Sequence, residues 1–141
     1  MKAIICAGGT GGHIYPALAI YNKIKEEEPF SEILYIGTTN RMESELIPKL
    51  GIKYVGIEMQ GIDRKNLLKN VSVFIKYKKA IRKAKKIIKD FQPDIVIGAG
   101  GYITAPVMIA AHKLKVKILI HEQNSIPGVS NKLISKYADK I

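Results

Sequence analysis

Short apolar runs alternate along this chain with stretches whose apolar positions fall three and four apart. Ala3-Ile4-Ile5-Cys6-Ala7 is apolar throughout, the pattern of a strand covered on both faces, so a first strand is expected over about residues 2–7. Ile14, Ala17, Leu18, Tyr21 and Ile24 then recur at helical spacing. They predict a helix over about 14–28 with Pro16 in its first turn. The alternation continues with strands over about 32–37, 53–57, from 95 and over 116–120. Helices are expected between them over about 42–50, 67–91, 104–114 and 128–137. Thr39 or Asn40 is the expected cap of the second helix, and Pro93 stops the third. Ala138-Asp139-Lys140-Ile141 reads as the opening of a sixth strand, as in one domain of something longer.

Such alternation implies the α/β class, a Rossmann-like doubly wound parallel sheet with right-handed crossovers and helices on both faces. Ligands of these sheets collect at the carboxyl ends of the strands. Two of those ends are glycine turns. Gly8-Gly9-Thr10-Gly11-Gly12-His13 follows the first strand, and Gly98-Ala99-Gly100-Gly101-Tyr102 follows the fourth. Glycine lets the backbone take positive φ and approach a ligand closely. A helix N-terminus adds free N–H groups and a favourable dipole. A phosphate-bearing ligand suits both. The dinucleotide fingerprint fails, because Ile14 stands where its third glycine belongs, and no lysine follows to make a Walker loop. His13 instead puts an ionisable group beside the anion site, the alternative being a tight turn with a capping histidine. The fifth strand runs into His121-Glu122-Gln123-Asn124, so all three stretches are expected along one edge.

Length and composition narrow the class further. At 141 residues the chain suffices for one domain with a core. The single Cys6 falls in the first strand and is expected as a small buried hydrophobe. No apolar run approaches the ~20 residues of a membrane span, and the charged N-terminus does not read as a signal peptide. A cytoplasmic location is the expectation.

The net charge of +11 is localised. Of 23 basic residues, 11 lie between Arg64 and Lys89 with no acidic residue among them, which leaves 12 to match the 12 acidic ones elsewhere. This is a footprint for an anionic surface. On a helical wheel Tyr77, Ala80, Ile81, Ala84, Ile87, Ile88 and Phe91 form a core face, with Lys79, Arg82 and Lys86 opposite. If the helix runs straight, Leu67, Leu68, Val71, Phe74 and Ile75 share the basic side and make a patch suited to a membrane surface. A break at Asn70-Val71-Ser72 would instead turn them inward. A solvated lysine face over an ordinary core helix is the plain alternative.

With GGTGGH, GAGGY and HEQN in this order, and with Arg41-Met42-Glu43 and Asn131-Lys132 beside them, the chain closely resembles the MurG family of bacterial N-acetylglucosaminyltransferases. The resemblance covers essentially the whole chain. It implies the GT-B architecture of two Rossmann-like domains, with residues 1–141 matching the N-terminal, acceptor-side domain and the C-terminal donor-binding domain absent. It implies transfer of GlcNAc from UDP-GlcNAc to the MurNAc C4 hydroxyl of lipid I, with inversion, at the cytoplasmic face of the membrane. Neither cofactor nor metal is implied. His13 is the first candidate base, and Glu122 the second, as a base or as a partner orienting a histidine. His121 is expected to point to the opposite face of its strand. Thr10, Gly11, Gly12 and Asn124 match donor-facing positions. Gly100, Gly101, Tyr102 and Asn131 match the acceptor side.

Two other readings stand beside this one. A non-catalytic, membrane-recruiting subunit of a split glycosyltransferase uses the same residues without turnover. Nucleic-acid binding through the lysine helix lacks any aromatic stacking platform or groove-reading motif, and no nucleic-acid partner is expected.

Overall fold

The computed structural model describes residues 1–59 and 67–141, with side chains of the second stretch from residue 71. Its strands are β1 (Lys2–Cys6), β2 (Glu32–Thr38), β3 (Lys53–Ile57), β4 (Ile95–Gly98) and β5 (Lys117–Ile120), in one sheet of order β3-β2-β1-β4-β5. Every neighbouring pair is parallel. Chain direction across the sheet reverses between β1 and β4, the switch point at which successive loops part and open a crevice.

The helices are α1 (Gly11–Glu27), α2 (Glu43–Lys49), α3 (Leu67–Phe91), α4 (Thr104–Lys113) and α5 (Val129–Ile134), the last followed by a 3₁₀ turn at Ser135–Tyr137. β1 feeds both faces of the sheet, because alternate residues point opposite ways. Ala3, Ile5 and Ala7 pack with Ile14, Ala17 and Ile47 on the α1–α2 side. Ile4 and Cys6 pack with Ala80, Ala84 and Met108 on the α3–α4 side. Cys6 is fully buried, as expected of a small hydrophobe.

Three boundaries depart from the sequence reading, each for a local reason. α1 starts at Gly11, inside the glycine run, with Thr10 as N-cap at φ −139°, ψ 162°. Pro16 therefore lies in the second turn. β2 extends to Thr38, which pairs with Ile57 of β3. Neither Thr39 nor Asn40 caps α2; Met42 holds that position with helical dihedrals and no side-chain cap bond. The turn is organised from below, by Thr38 Oγ1 accepting the Arg41 N–H at 3.1 Å.

α3 runs through Asn70-Val71-Ser72 without a break. Val71, Phe74 and Ile75 are consequently exposed, the last two by 60% and 51%, on the side that carries exposed Lys79, Arg82 and Lys86. The side chains of Leu67 and Leu68 lie outside the described residues. Ala80, Ala84 and Ile88 are buried, as the wheel required. The expected sixth strand is present as one parallel bridge, Leu119 to Lys140.

Candidate functional site

The two glycine turns meet at the carboxyl ends of β1 and β4. The Gly8 N–H donates to the Gly100 carbonyl at 3.2 Å, and the Ala99 N–H donates to the Cys6 carbonyl at 2.9 Å. Past β5, the His121 N–H donates to the Gly98 carbonyl at 2.8 Å. Gly100 and Gly101 have φ of +111° and +98°. A Cβ on Gly101 would fall on the Gly8 carbonyl, and one on Gly100 would enter the His13 ring. Only glycine meets both the dihedral and the spacing demand.

These turns and the segment after β5 enclose an open cavity of about 390 Å³. Thr10, His13, Gly100, Gly101, Tyr102, Glu122, Asn124 and Asn131 line it together. The residues expected on donor and acceptor sides thus share one cavity. Gly11, Gly12 and His121 are not among its lining residues.

The start of α1 is left uncapped. An N-cap threonine normally turns its hydroxyl on the N2 or N3 amide. Thr10 makes no such bond; its Oγ1 lies 3.4 Å from His13 Nδ1. The first amides of a helix have no intrahelical partner, so those of Gly11 and Gly12 stay available to an anion. Pro16 adds a second consequence. Its missing N–H cannot satisfy the carbonyl four residues back, at Gly12. Gln123 Nε2 donates to that carbonyl at 2.7 Å, and so ties the segment after β5 to the start of α1. Gln123 was visible in HEQN, but its role depends on a carbonyl that only the register of α1 exposes.

Glu122 organises the other wall. Its Oε1 accepts the Asn124 N–H and Nδ2 at 3.0 and 3.2 Å, and its Oε2 accepts the Gly128 N–H and Asn131 Nδ2 at 2.9 and 3.0 Å. The Gly128 amide, then the Asn124 amide and the two asparagine side chains, hold its carboxyl down at about 2 against a burial effect of opposite sign. With four acceptor positions engaged and so low a pKa, Glu122 is a weak base near neutrality. The side chains that Glu122 holds are those of Asn124 and Asn131, and none of its hydrogen bonds among the described residues goes to a histidine.

Glu43 holds the first glycine turn, a role that the pattern of the sequence did not single out. It lies in the first turn of α2, fully buried. Oε2 accepts the Gly9 N–H at 3.0 Å; Oε1 accepts the Thr38 N–H at 2.9 Å and the Thr38 hydroxyl at 2.7 Å. A Cβ on Gly8 or Gly37 would strike this side chain. The first glycine turn is therefore clamped from beneath by a carboxylate. Burial, with Glu43 close by, pushes the Cys6 thiol and the Tyr54 phenol up, so Cys6 stays a neutral, unreactive thiol.

Residues 3–141 match the family described as the glycosyltransferase family 28 N-terminal domain. The chain belongs to that family. As a family 28 domain it is 46% identical, over all 141 residues, to the UDP-N-acetylglucosamine--N-acetylmuramyl-(pentapeptide) pyrophosphoryl-undecaprenol N-acetylglucosamine transferase of Halalkalibacterium halodurans, and covers 39% of that protein. The crystal structure of MurG from Acinetobacter baumannii matches with a TM-score of 0.85 and 32% identity, over 98% of this chain and 40% of that one. This likeness gives the fold its class, the Rossmann-like layer of GT-B glycosyltransferases. The UDP-GlcNAc 2-epimerase of Methanocaldococcus jannaschii matches at TM-score 0.65 and 17% identity, over 98% of this chain and 38% of that one, a likeness of fold alone. The family 28 domain thus spans about 40% of the length of such relatives.

Proposed function

We propose that this family 28 domain is the acceptor-side half of an inverting glycosyltransferase. The enzyme moves GlcNAc from UDP-GlcNAc to the MurNAc C4 hydroxyl of undecaprenyl-pyrophosphoryl-MurNAc-pentapeptide, which converts lipid I to lipid II. The interlocked glycine turns carry this reading. They set the His13 ring and the oriented asparagines around one cavity at the switch point, next to the uncapped start of α1, a receptacle for diphosphate oxygens beside a base.

In the proposed reaction His13 is the general base. With Nδ1–H donated to Thr10 Oγ1, across the 3.4 Å gap, Nε2 is left as the acceptor. It takes the C4 hydroxyl proton as that oxygen bonds to the GlcNAc anomeric carbon from the face opposite UDP. The bond to the UDP oxygen breaks and UDP leaves. Gly100, Gly101 and Tyr102 face the acceptor diphosphate. Asn124 and Asn131, held by Glu122, orient sugar hydroxyls. Most donor contacts belong to a second domain across the cleft, with Thr10, Gly11, Gly12 and Asn124 the donor-facing positions on this one. Exposed Phe74 and Ile75, among Lys79, Arg82 and Lys86, dock the domain peripherally on an anionic membrane surface. Among the described residues no helix is long and apolar enough to cross a membrane.

Joined to the donor-binding domain of a relative and given both substrates, the chain is expected to transfer GlcNAc, with turnover lost in His13→Ala. By itself it is expected to bind the lipid diphosphate without turnover. Robust transfer by the chain alone, or an active His13→Ala enzyme, would overturn the division of roles.

A further inference from the structure

We infer that Arg41 is the side-chain cation that grips a diphosphate held over the two glycine turns, an assignment that rests on the acceptor-domain reading above. Arg41 lies between β2 and α2 and lines the cavity together with Gly8, Gly9 and Gly101. Its Nη2 comes within 4.0 Å of where a Cβ on Gly9 would stand. Among the described residues that line the cavity it is the one lysine or arginine.

The guanidinium has no carboxylate partner among the described residues. Glu43, two positions along, spends its oxygens on Gly9 and Thr38. The backbone under Arg41 is nevertheless fixed. Thr38 Oγ1 donates to Glu43 and accepts the Arg41 N–H, while the Arg41 carbonyl accepts the Ser44 N–H at 3.0 Å and the Ser44 hydroxyl at 2.5 Å. An unpaired guanidinium on an anchored backbone, aimed along a turn of amides, is the arrangement that takes two phosphate oxygens at once.

The anion site needs this charge. Glu43 occupies the Gly9 amide, so that donor is lost to a ligand. Its buried carboxylate also lies directly beneath the turn, where it repels any anion above. Partial charges on the remaining amides act against that repulsion, and the full charge of Arg41 offsets it. Glu43 thus fixes both the turn and, through Thr38, the cation that compensates for its own charge.

The test follows amide shifts and affinity as inorganic pyrophosphate is titrated into this chain at fixed salt. Arg41→Ala is expected to weaken binding roughly tenfold or more, since hydrogen bonds to charged groups contribute about 1.5–3 kcal/mol. Arg41→Lys keeps the charge without the fork and falls between. Lys23→Ala removes one charge at an exposed position paired with Glu27 and leaves affinity unchanged. Farnesyl diphosphate and UDP replace pyrophosphate in two further arms. A larger Arg41 dependence in either arm supports the assignment and names the lipid or the nucleotide as the source. Wild-type binding that Arg41→Ala leaves within twofold overturns the Arg41 assignment alone. If pyrophosphate shifts no amide of residues 8–12 or 100–102 in the wild-type chain, the anion site and the reading beneath it fall together.

Discussion

Replacing Glu43 by glutamine isolates what the buried carboxylate does for the first glycine turn. Both of its oxygens face donors: Gly9 on one side, the Thr38 amide and hydroxyl on the other. Glutamine has the same shape but only one acceptor oxygen. That oxygen keeps two partners if it faces Thr38, which turns the amide NH₂ toward the Gly9 N–H. A donor then meets a donor, the glutamine fully buried and Gly9 half-buried at the cavity wall. One charged hydrogen bond is lost, about 1.5–3 kcal/mol, and the half-buried Gly9 N–H is left facing a donor. A destabilisation of about 2–3 kcal/mol is expected from a total of about 5–15 kcal/mol. In urea the midpoint falls by roughly 1 M at an unchanged slope. Hydrogen exchange locates the effect. Protection at Gly9 drops by roughly 30-fold or more, while amides in β3 and β5 report only the global change. If Glu43→Gln unfolds within about 0.5 kcal/mol of the wild type and Gly9 exchanges as before, the carboxylate is not what holds the turn.

Three further outcomes follow from the same geometry. Gly101→Ala, at φ +98° and facing the Gly8 carbonyl, is expected to cost more than about 2 kcal/mol by denaturation; Gly51→Ala, at φ +76° with no atom within 4 Å, costs only the dihedral term of about 1–2 kcal/mol, and equal losses would deny the crowding between the turns. Glu122 has a folded pKa near 2, below the ordinary 4.5, so its contribution is complete above pH 4.5 and is lost as the pH falls toward 2; the stability gap between wild type and Glu122→Gln should close over that window, and a gap independent of pH refutes the assigned hydrogen bonds. Phe74→Ser with Ile75→Ser removes exposed apolar surface, so stability stays within about 0.5 kcal/mol while sedimentation with anionic vesicles drops; unchanged sedimentation removes these two residues from the docking surface.

The sheet was legible in the sequence because both cores feed on one strand. Ala3, Ile5 and Ala7 serve one face and Ile4 and Cys6 the other, which is why that run is apolar without alternation. The meeting of the glycine turns was legible too, since parallel topology forces the ends of β1 and β4 to one edge. Contacts made by a side chain with a distant backbone were not. Glu43 reaches Gly9 across 34 positions and Gln123 reaches Gly12 across 111, and neither leaves a periodic trace. The caps failed for a related reason. Thr39 and Asn40 are good caps by type, but Thr38, buried below them, already satisfies the Arg41 amide. Glu122 was expected as a base or as a partner orienting a histidine, and its backbone partners appear only once the turn to Gly128 closes.

Two acidic residues among those described at the site explain how the proposed diphosphate is received where carboxylates stand. Glu43 turns both oxygens into the backbone of the first turn and into Thr38. Glu122 turns all four acceptor positions onto the segment between Asn124 and Asn131. Each carboxylate therefore builds a loop rather than facing the cavity as a free charge. What remains open toward a ligand is the complement: the guanidinium of Arg41 and the His13 ring in the cavity, with the uncapped start of α1 beside it. The sign of the site is set by which groups the fold has already satisfied, and a count of charged residues near the cavity would give it wrongly.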